Sequence, residues 1–185
     1  MSVARGRTMA ATLIAAMFIA RPITAEAQWW SHFRAPRSMP EVSELLQNRF
    51  PDVPSISTDA LADLLAASQP VLLLDNRAAD EFDVSHLPGA RHAATAESAL
   101  RVVAGLPADT RIVTYCSIGY RSAIVARALR DAGFRNTTNL DGSIFRWANE
   151  DRPLVRDAGP ARLVHPFDAS WGALLSPALR APLAR

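Results

Sequence analysis

Short apolar runs alternate with helical patterns along the middle of the chain, between about residues 55 and 155. The runs lie at 71–74, 112–115 and, more weakly, 137–140. Uninterrupted apolar segments of this length are typical of strands that are buried on both faces of a sheet. Helical periodicity appears at 95–104 and at 122–132, where Gly133 is placed to cap the helix. Strands that alternate with helices predict a central parallel sheet covered on both faces, which is a three-layer α/β/α fold.

The segments on either side of this domain carry shorter helical patterns. Before the domain, apolar positions predict a helix over 41–50, and near the start of the domain Ser57 is placed to cap a second helix. After it comes a proline-rich tail, in which Asp168 can cap a short helix that carries Trp171. We expect the tail to pack on the domain. The predicted regions are a leader over 1–27, an arm and helix over 28–54, the α/β domain over 55–155 and the tail over 156–185.

Residues 1–27 have the pattern of a secretory signal peptide. Arg5 and Arg7 precede the apolar run 9–20, and Ala25-Glu26-Ala27 supplies the small residues that signal peptidase recognises. The run is shorter than the roughly 20 residues that are needed to cross a bilayer. We therefore expect export to the periplasm by the general route, cleavage after Ala27, and no stable membrane span in the mature protein.

The charge and the cysteine content narrow the classes of function. Arginine supplies all 20 basic residues, against 18 acidic ones, so the formal charge is +2. Residues 1–27 hold three of these arginines and one acid, which leaves 17 basic and 17 acidic residues in the remainder. A remainder without net charge argues against a nucleic-acid partner. Cys116 is the single cysteine, and the histidines are scattered, so we expect no disulfide, metal or cofactor.

Cys116 occupies the position where a parallel sheet binds its ligand. It directly follows the run 112–115, and the loop 116–121 leads into a helix that is predicted to begin near Ser122. Ligands of such sheets bind beyond the carboxyl ends of the strands. A short loop with a central glycine at a helix N-terminus can direct several backbone N–H groups at one point. These amides, the helix dipole and Arg121 favour the thiolate form of Cys116. The alternative interpretation is a buried cysteine that only fills space at the end of a strand.

Three separated motifs surround this loop. They are Asp75-Asn76-Arg77 followed by Glu81-Phe82 and His86-Leu87-Pro88-Gly89-Ala90, then Tyr115-Cys116-Ser117-Ile118-Gly119-Tyr120-Arg121-Ser122, and last Leu140-Asp141-Gly142-Ser143 with Trp147. In this order and at this spacing they resemble the motifs of single-domain rhodaneses, which are sulfurtransferases, over about residues 57–155. Asn76 departs from the family pattern, where Val is usual, and Ser143 departs from it where a second Gly is usual. We expect Ser143 to alter the turn before the last helix and to leave the catalytic parts untouched.

The resemblance implies a rhodanese-like domain and a double-displacement reaction. The Cys116 thiolate attacks the outer sulfur of a donor such as thiosulfate, sulfite leaves, and a nucleophilic acceptor then removes the sulfur from the persulfide. The residues expected to bind substrate are Ser117, Ile118, Gly119, Tyr120, Arg121 and Ser122. Amides of this loop stabilise the persulfide, and the Arg121 guanidinium holds the departing oxyanion. The implied partners are a small-molecule sulfur donor and a thiophilic acceptor.

The first motif is expected to support the site without reacting. Asp75 closes its strand near the loop, where it can accept hydrogen bonds from loop amides or from Arg121. Arg77 and Glu81 are four residues apart on a short helical turn and can pair. His86 lies in a turn, where we expect it to satisfy backbone groups and not to act as a base.

Two other functions remain open from the sequence. One is a non-catalytic rhodanese-like module that binds an envelope protein through Trp29-Trp30 and the tail. The other is a phosphatase or arsenate reductase of the related fold, which has a loop one residue longer, with Arg at the sixth position after the cysteine. Ser122 stands at that position here, and Arg121 comes one residue earlier.

Overall fold

A five-stranded parallel sheet lies at the centre of the structure, a computed structural model that describes residues 36–157 and 159–183. The strands are β1 (Ser55–Ile56), β2 (Leu72–Asp75), β3 (Arg91–His92), β4 (Ile112–Tyr115) and β5 (Thr137–Leu140), in the spatial order β1-β5-β4-β2-β3. All four pairings are parallel. The predicted central strands are present as β2, β4 and β5. The edge strands β1 and β3 have two residues each, which is too short to produce a hydrophobic pattern in the sequence.

Helices cover the sheet on both faces, so the predicted three-layer α/β/α fold is confirmed. They are α1 (Met39–Arg49), α2 (Thr58–Ala66), α3 (Ala79–Val84), α4 (Ala96–Val103), α5 (Tyr120–Asp131), α6 (Ser143–Asn149) and α7 (Ala169–Gly172). Helix α4 packs against α5, and α2 packs against α6. Ser57 caps α2 as predicted, because its hydroxyl accepts a hydrogen bond from the Ala60 N–H.

The main core lies between the sheet and the helices α4 and α5. Leu74 and Ile112 of the sheet pack there with Val103 of α4 and Leu129 of α5, and all four side chains are buried. All four residues of β4 are buried, as the continuous apolar run predicts for a central strand. The strand is therefore a rigid base for the residue that follows it, Cys116.

A short strand at the end of the domain leads into the tail, which forms small elements against the last helix of the domain, α6. Strands β6 (Leu154–Arg156) and β7 (Gly159–Ala161) make an antiparallel pair. Asp168 caps α7 as predicted, since its Oδ1 accepts a hydrogen bond from the Trp171 N–H at 2.8 Å. The Asn149 side chain joins α6 to the tail: its Nδ2 donates to the Leu174 carbonyl at 2.8 Å.

The predicted leader and the Trp29-Trp30 arm lie outside the described residues. Over the ranges 36–157 and 159–183, no helix is long and apolar enough to cross a membrane.

Candidate active site

The loop that follows β4 turns directly into α5. Helix α5 begins at Tyr120, two residues before the predicted start near Ser122. Gly119 makes the early start feasible because it adopts a φ of +111°, a conformation that residues with a Cβ rarely take. A Cβ at Gly119 would also lie only 2.7 Å from the Leu46 Cδ1 atom of α1. The turn therefore requires glycine here, and a Cβ would in addition force the end of the Leu46 side chain to move.

Cys116 is the first residue of this turn and is only 1% exposed. The Gly119 N–H donates a hydrogen bond to its Sγ atom at 3.2 Å. Burial by itself would raise the pKa of the Cys116 thiol, but the positive charge of Arg121 and hydrogen bonds from Ser122 and Gly119 lower it below its usual value. The surroundings of the sulfur thus favour the thiolate, which is the nucleophilic form.

The backbone of Cys116 is held by residues at the start of α6. The Cys116 N–H donates to the Ser143 hydroxyl at 3.2 Å, and the Cys116 carbonyl accepts from the Ile144 N–H at 3.1 Å. Ser143 is fully buried and has a φ of +50°. The expectation that Ser143 leaves the catalytic parts untouched is wrong, because its side chain binds the backbone of the candidate nucleophile itself.

Arg121 forms a buried network with Glu81 and Ser117. Its Nη1 and Nη2 atoms donate to the two Glu81 carboxylate oxygens at 2.6 and 2.8 Å, and Nη2 also donates to the Ser117 hydroxyl at 2.9 Å. The Ser117 hydroxyl donates in turn to Glu81 at 2.9 Å. The Glu81 side chain is 3% exposed, whereas that of Arg121 is 27% exposed. Arg121 is thus held rigidly beside the cysteine, with one part of its side chain open to solvent.

The charge of Glu81 depends on this network. Burial would raise the pKa of Glu81, but the hydrogen bonds and the charge of Arg121 lower it to about 2. Glu81 does not form the hydrogen-bonded pair with Arg77 that the sequence allows, although the charge of Arg77 also lowers the pKa of Glu81. The spacing of four residues permits that pair on a helix, but Arg77 precedes α3 and its side chain turns to Asp75.

Asp75 and Arg77 form a fully buried ion pair beside the site. The Arg77 Nη2 atom donates to the Asp75 Oδ2 at 2.6 Å and to the Ser85 carbonyl at 2.6 Å, and Arg77 Nε donates to the Asp75 Oδ1 at 2.9 Å. Asp75 therefore accepts hydrogen bonds from the side chain and the backbone N–H of Arg77. The hydrogen bond from Arg121 to Asp75 that the sequence allows is not formed, because Arg121 binds Glu81. The Asn76 N–H donates to the carbonyl of Tyr115, the residue before the cysteine, at 2.8 Å. The motif thus holds the end of β4, the strand that leads to Cys116.

The remaining loop residues face inward. Ile118 and Tyr120 are buried, and the Tyr120 ring packs edge-on against Phe50, with the ring centroids 5.1 Å apart. The Ser122 hydroxyl donates to the Asn139 Oδ1 at 2.7 Å, while the Asn139 Nδ2 donates to the Gly119 carbonyl at 2.9 Å. Asn139 thus ties both ends of the turn to β5, a role that its place in a weak apolar run does not reveal.

Two outer features complete the surroundings. His86 stacks on Phe82, with ring centroids 3.9 Å apart, and its Nδ1 lies 3.2 Å from the Phe82 carbonyl, which fits the expected bonding to the backbone. Phe167 of the tail places its ring 5.0 Å from the Arg121 Cζ atom.

Within the part of the chain that the structure describes, no group of three or more histidine, cysteine, aspartate or glutamate side chains could hold a metal ion.

Comparison with known proteins gives the family. Residues 57–150 match the rhodanese-like domain family, and the chain therefore belongs to this family. It is 33% identical over 102 residues to the probable adenylyltransferase/sulfurtransferase MoeZ of Mycobacterium tuberculosis, a match that covers 54% of this chain and 26% of MoeZ. It is 31% identical over 107 residues to a sulfurtransferase of Allochromatium vinosum, a match that covers 58% of this chain and 99% of that protein.

Solved structures agree with this assignment. The thiosulfate sulfurtransferase of Pseudomonas aeruginosa is similar with a TM-score of 0.56 and 25% identity, over 77% of this chain and 27% of that one. A rhodanese-like domain protein of Staphylococcus aureus gives a TM-score of 0.50 and 25% identity, over 57% of this chain and 100% of that one. The chain thus spans about a quarter of MoeZ but almost the whole of the A. vinosum protein. The family supports a sulfurtransferase activity in general.

Proposed function

We propose that the protein transfers a sulfane sulfur, from a donor such as thiosulfate to a nucleophilic acceptor, through a persulfide on Cys116. The observation that carries this proposal is the position of the Cys116 sulfur. The sulfur lies at the N-terminus of α5 and accepts a hydrogen bond from the Gly119 N–H at 3.2 Å. The pKa of the thiol is lowered. A sulfur atom held in this way can attack a sulfane sulfur and can also store one as an anion.

Both steps are exchanges at sulfur that need no proton transfer. The Cys116 thiolate attacks the outer sulfur of thiosulfate, a new sulfur–sulfur bond forms, and sulfite leaves with the electron pair of the bond that breaks. An anionic acceptor then attacks the outer sulfur of the persulfide, and the Cys116 thiolate leaves. The N-terminal end of α5 stabilises the negative charge that remains on the enzyme throughout.

Arg121 supports these steps chiefly through its charge. Three of the five N–H groups of its guanidinium donate to Glu81 and Ser117, so the second N–H of Nη1 and the Nε–H can still donate to a thiosulfate anion or to the departing sulfite. Replacing Arg121 by Ala removes the positive charge beside the sulfur. We expect sulfur uptake from thiosulfate to slow by about ten- to a hundredfold, which corresponds to the loss of one charge-assisted contact.

The test is the intact mass of the protein before and after incubation with thiosulfate. We expect the wild type to gain the mass of one sulfur atom, the Cys116→Ser variant to gain none, and cyanide to remove the gain as thiocyanate. A wild type that gains no sulfur and instead hydrolyses an aryl phosphate in a manner that requires Cys116 would replace this proposal with the phosphatase alternative.

The proposal includes export to the periplasm, on the basis of the leader pattern over 1–27. Expression of the full chain, followed by mass analysis of the N-terminus in the periplasmic fraction, tests it. We expect a mature chain that begins at Gln28, whereas a retained Met1 would contradict export by cleavage.

A further inference from the structure

Reactants must reach a sulfur atom that is almost fully covered. Cys116 is 1% exposed, and the loop around it is fixed by hydrogen bonds to β5 and α6, including that from Asn139 to the Gly119 carbonyl. Between Cys116 and Ser122, Arg121 is the one residue that is not buried, and its side chain is 27% exposed. The solvent face of Arg121 therefore marks the side from which a donor or an acceptor approaches.

Phe167 covers this face of the site. Its ring lies over the Arg121 guanidinium, 5.0 Å from Cζ, and the residue is 38% exposed. Phe167 belongs to the tail and therefore lies outside residues 57–150, which match the family. The phenyl ring thus comes from outside the matched domain and lies over the part of Arg121 that is open to solvent.

The backbone at Phe167 is in an unfavourable conformation. Its φ is +67°, a value that glycine adopts freely and that a bulky residue avoids. Both neighbours hold it there: Pro166 packs against Gly172, so closely that a Cβ at Gly172 would lie 2.7 Å from the Pro166 Cβ, and Asp168 caps α7. Strain of this kind persists where the surrounding structure imposes it, and it is concentrated at functional sites.

We propose that Phe167 is a specificity-determining residue that limits the size of the sulfur acceptor. The inference rests on the proposed sulfur transfer at Cys116. A small nucleophile such as cyanide passes beside the ring and attacks the outer sulfur of the persulfide. A bulky thiolate reaches that sulfur only when the ring moves away from Arg121. The bond changes are the same for both acceptors: an acceptor–sulfur bond forms, the persulfide bond breaks, and the Cys116 thiolate is released.

Access to the sulfur can be measured independently of the reaction. Because Cys116 is the one cysteine of the chain, alkylation of the intact protein reports on this sulfur alone. We compare iodoacetamide with a maleimide that carries a polyethylene glycol chain, in the wild type and in the Phe167→Ala, Phe167→Leu and Leu163→Ala variants. Leu163 is a matched control, since it is an apolar tail residue of similar exposure, at 42%. Phe167→Leu retains most of the bulk and loses the aromatic ring.

We expect Phe167→Ala to accelerate the maleimide reaction by about tenfold and to change the iodoacetamide rate by less than about twofold. Phe167→Leu should give an intermediate increase, and Leu163→Ala should behave as the wild type. Equal changes with both reagents, or no change in Phe167→Ala, would overturn the proposal. Thermal unfolding of each variant shows whether a change in rate reflects a loosened fold.

The transfer step gives the second measurement. The persulfide form is prepared with thiosulfate and then mixed with either cyanide or glutathione. Phe167→Ala should react about tenfold faster than the wild type with glutathione and at a similar rate with cyanide. If no persulfide forms in any variant, the proposed function fails, while the alkylation rates still decide whether Phe167 limits access to Cys116. If the persulfide forms but the rate with glutathione is unchanged, the role of Phe167 fails and sulfur transfer stands.

Discussion

The reactivity of Cys116 is set by contacts to one sulfur atom. Burial raises the pKa of this thiol, and the Arg121 charge with the hydrogen bonds from Ser122 and Gly119 lowers it by more. We therefore predict that alkylation by iodoacetamide has a pH midpoint below that of a free thiol, about 8.5. Arg121→Ala should move the midpoint upward, because it removes the nearest positive charge. Rates measured by mass across the pH range test this, and a wild-type midpoint at or above that of a free thiol would contradict it.

Glu81 should make the stability of the protein sensitive to acid. Its pKa falls from 4.5 to about 2 on folding, so the folded state gains stability from it above pH 4.5 and loses that gain as the pH falls towards 2. At about 1.4 kcal/mol for each pKa unit, the gain is about 3 kcal/mol. Glu81→Gln should be less stable than the wild type at neutral pH and should lose less stability between pH 4.5 and 2.

Urea unfolding at several pH values measures this difference. Asp59→Asn is the control, because the Asp59 side chain pairs with Arg152 while 85% exposed, where an ion pair contributes little. Parallel losses of stability in the wild type and Glu81→Gln would show that Glu81 does not carry the acid sensitivity.

At the scale of elements, the sequence predicted the strand that carries Cys116 better than the contacts that surround this residue. The run 112–115 and the cysteine after it were sufficient to place Cys116 at the end of a buried strand, because strand burial leaves a direct pattern. The hydrogen-bonded pair of Arg77 and Glu81 that the sequence allows does not form, since a spacing of four residues describes a continuous helix and Arg77 lies before α3. The contacts of Ser143 and Phe167 with the site bridge distant parts of the chain and depend on positive φ values, which local pattern does not reveal.

The turn between β4 and α5 depends on glycine for two separable reasons. Gly119→Ala introduces a Cβ that meets Leu46 at 2.7 Å, at a φ of +111°. Gly133→Ala is a matched control, because Gly133 has a φ of +104° and open space around its Cβ position. We predict that Gly133→Ala costs about 1 kcal/mol of unfolding free energy from backbone strain, with no change in the alkylation rate of Cys116.

Gly119→Ala should cost about 1–3 kcal/mol more than the control, because the packed contact with Leu46 is added to the strain. The alkylation of Cys116 should slow as well, since a shifted turn withdraws the Gly119 N–H from the sulfur. Chemical unfolding and alkylation of both variants measure the two effects. Identical behaviour of the two alanine variants would contradict the role of the contact between Gly119 and α1.

At the scale of the whole molecule, the Asn149 side chain is one of the links between the family domain and the tail. Asn149, at the end of α6, donates to the Leu174 carbonyl and accepts from the Ser176 N–H at 2.9 Å. The tail in turn buries Trp171 and Leu175 and carries Phe167 to Arg121. The placement of Phe167 at the site therefore depends on how firmly the tail is attached to α6.

Asn149→Ala should loosen the tail and leave the sheet intact. The loss of two hydrogen bonds weakens the attachment by about 1–3 kcal/mol, so amides over 172–181 should exchange with deuterium faster while those of β4 keep their protection. The maleimide reaction of Cys116 should accelerate along with this exchange, because the Phe167 ring then moves away from Arg121 more often. Asn136→Ala is the control, since the Asn136 side chain donates to the Asp109 carbonyl away from the tail. Faster exchange over 172–181 without faster maleimide labelling would show that the tail moves independently of access to the sulfur.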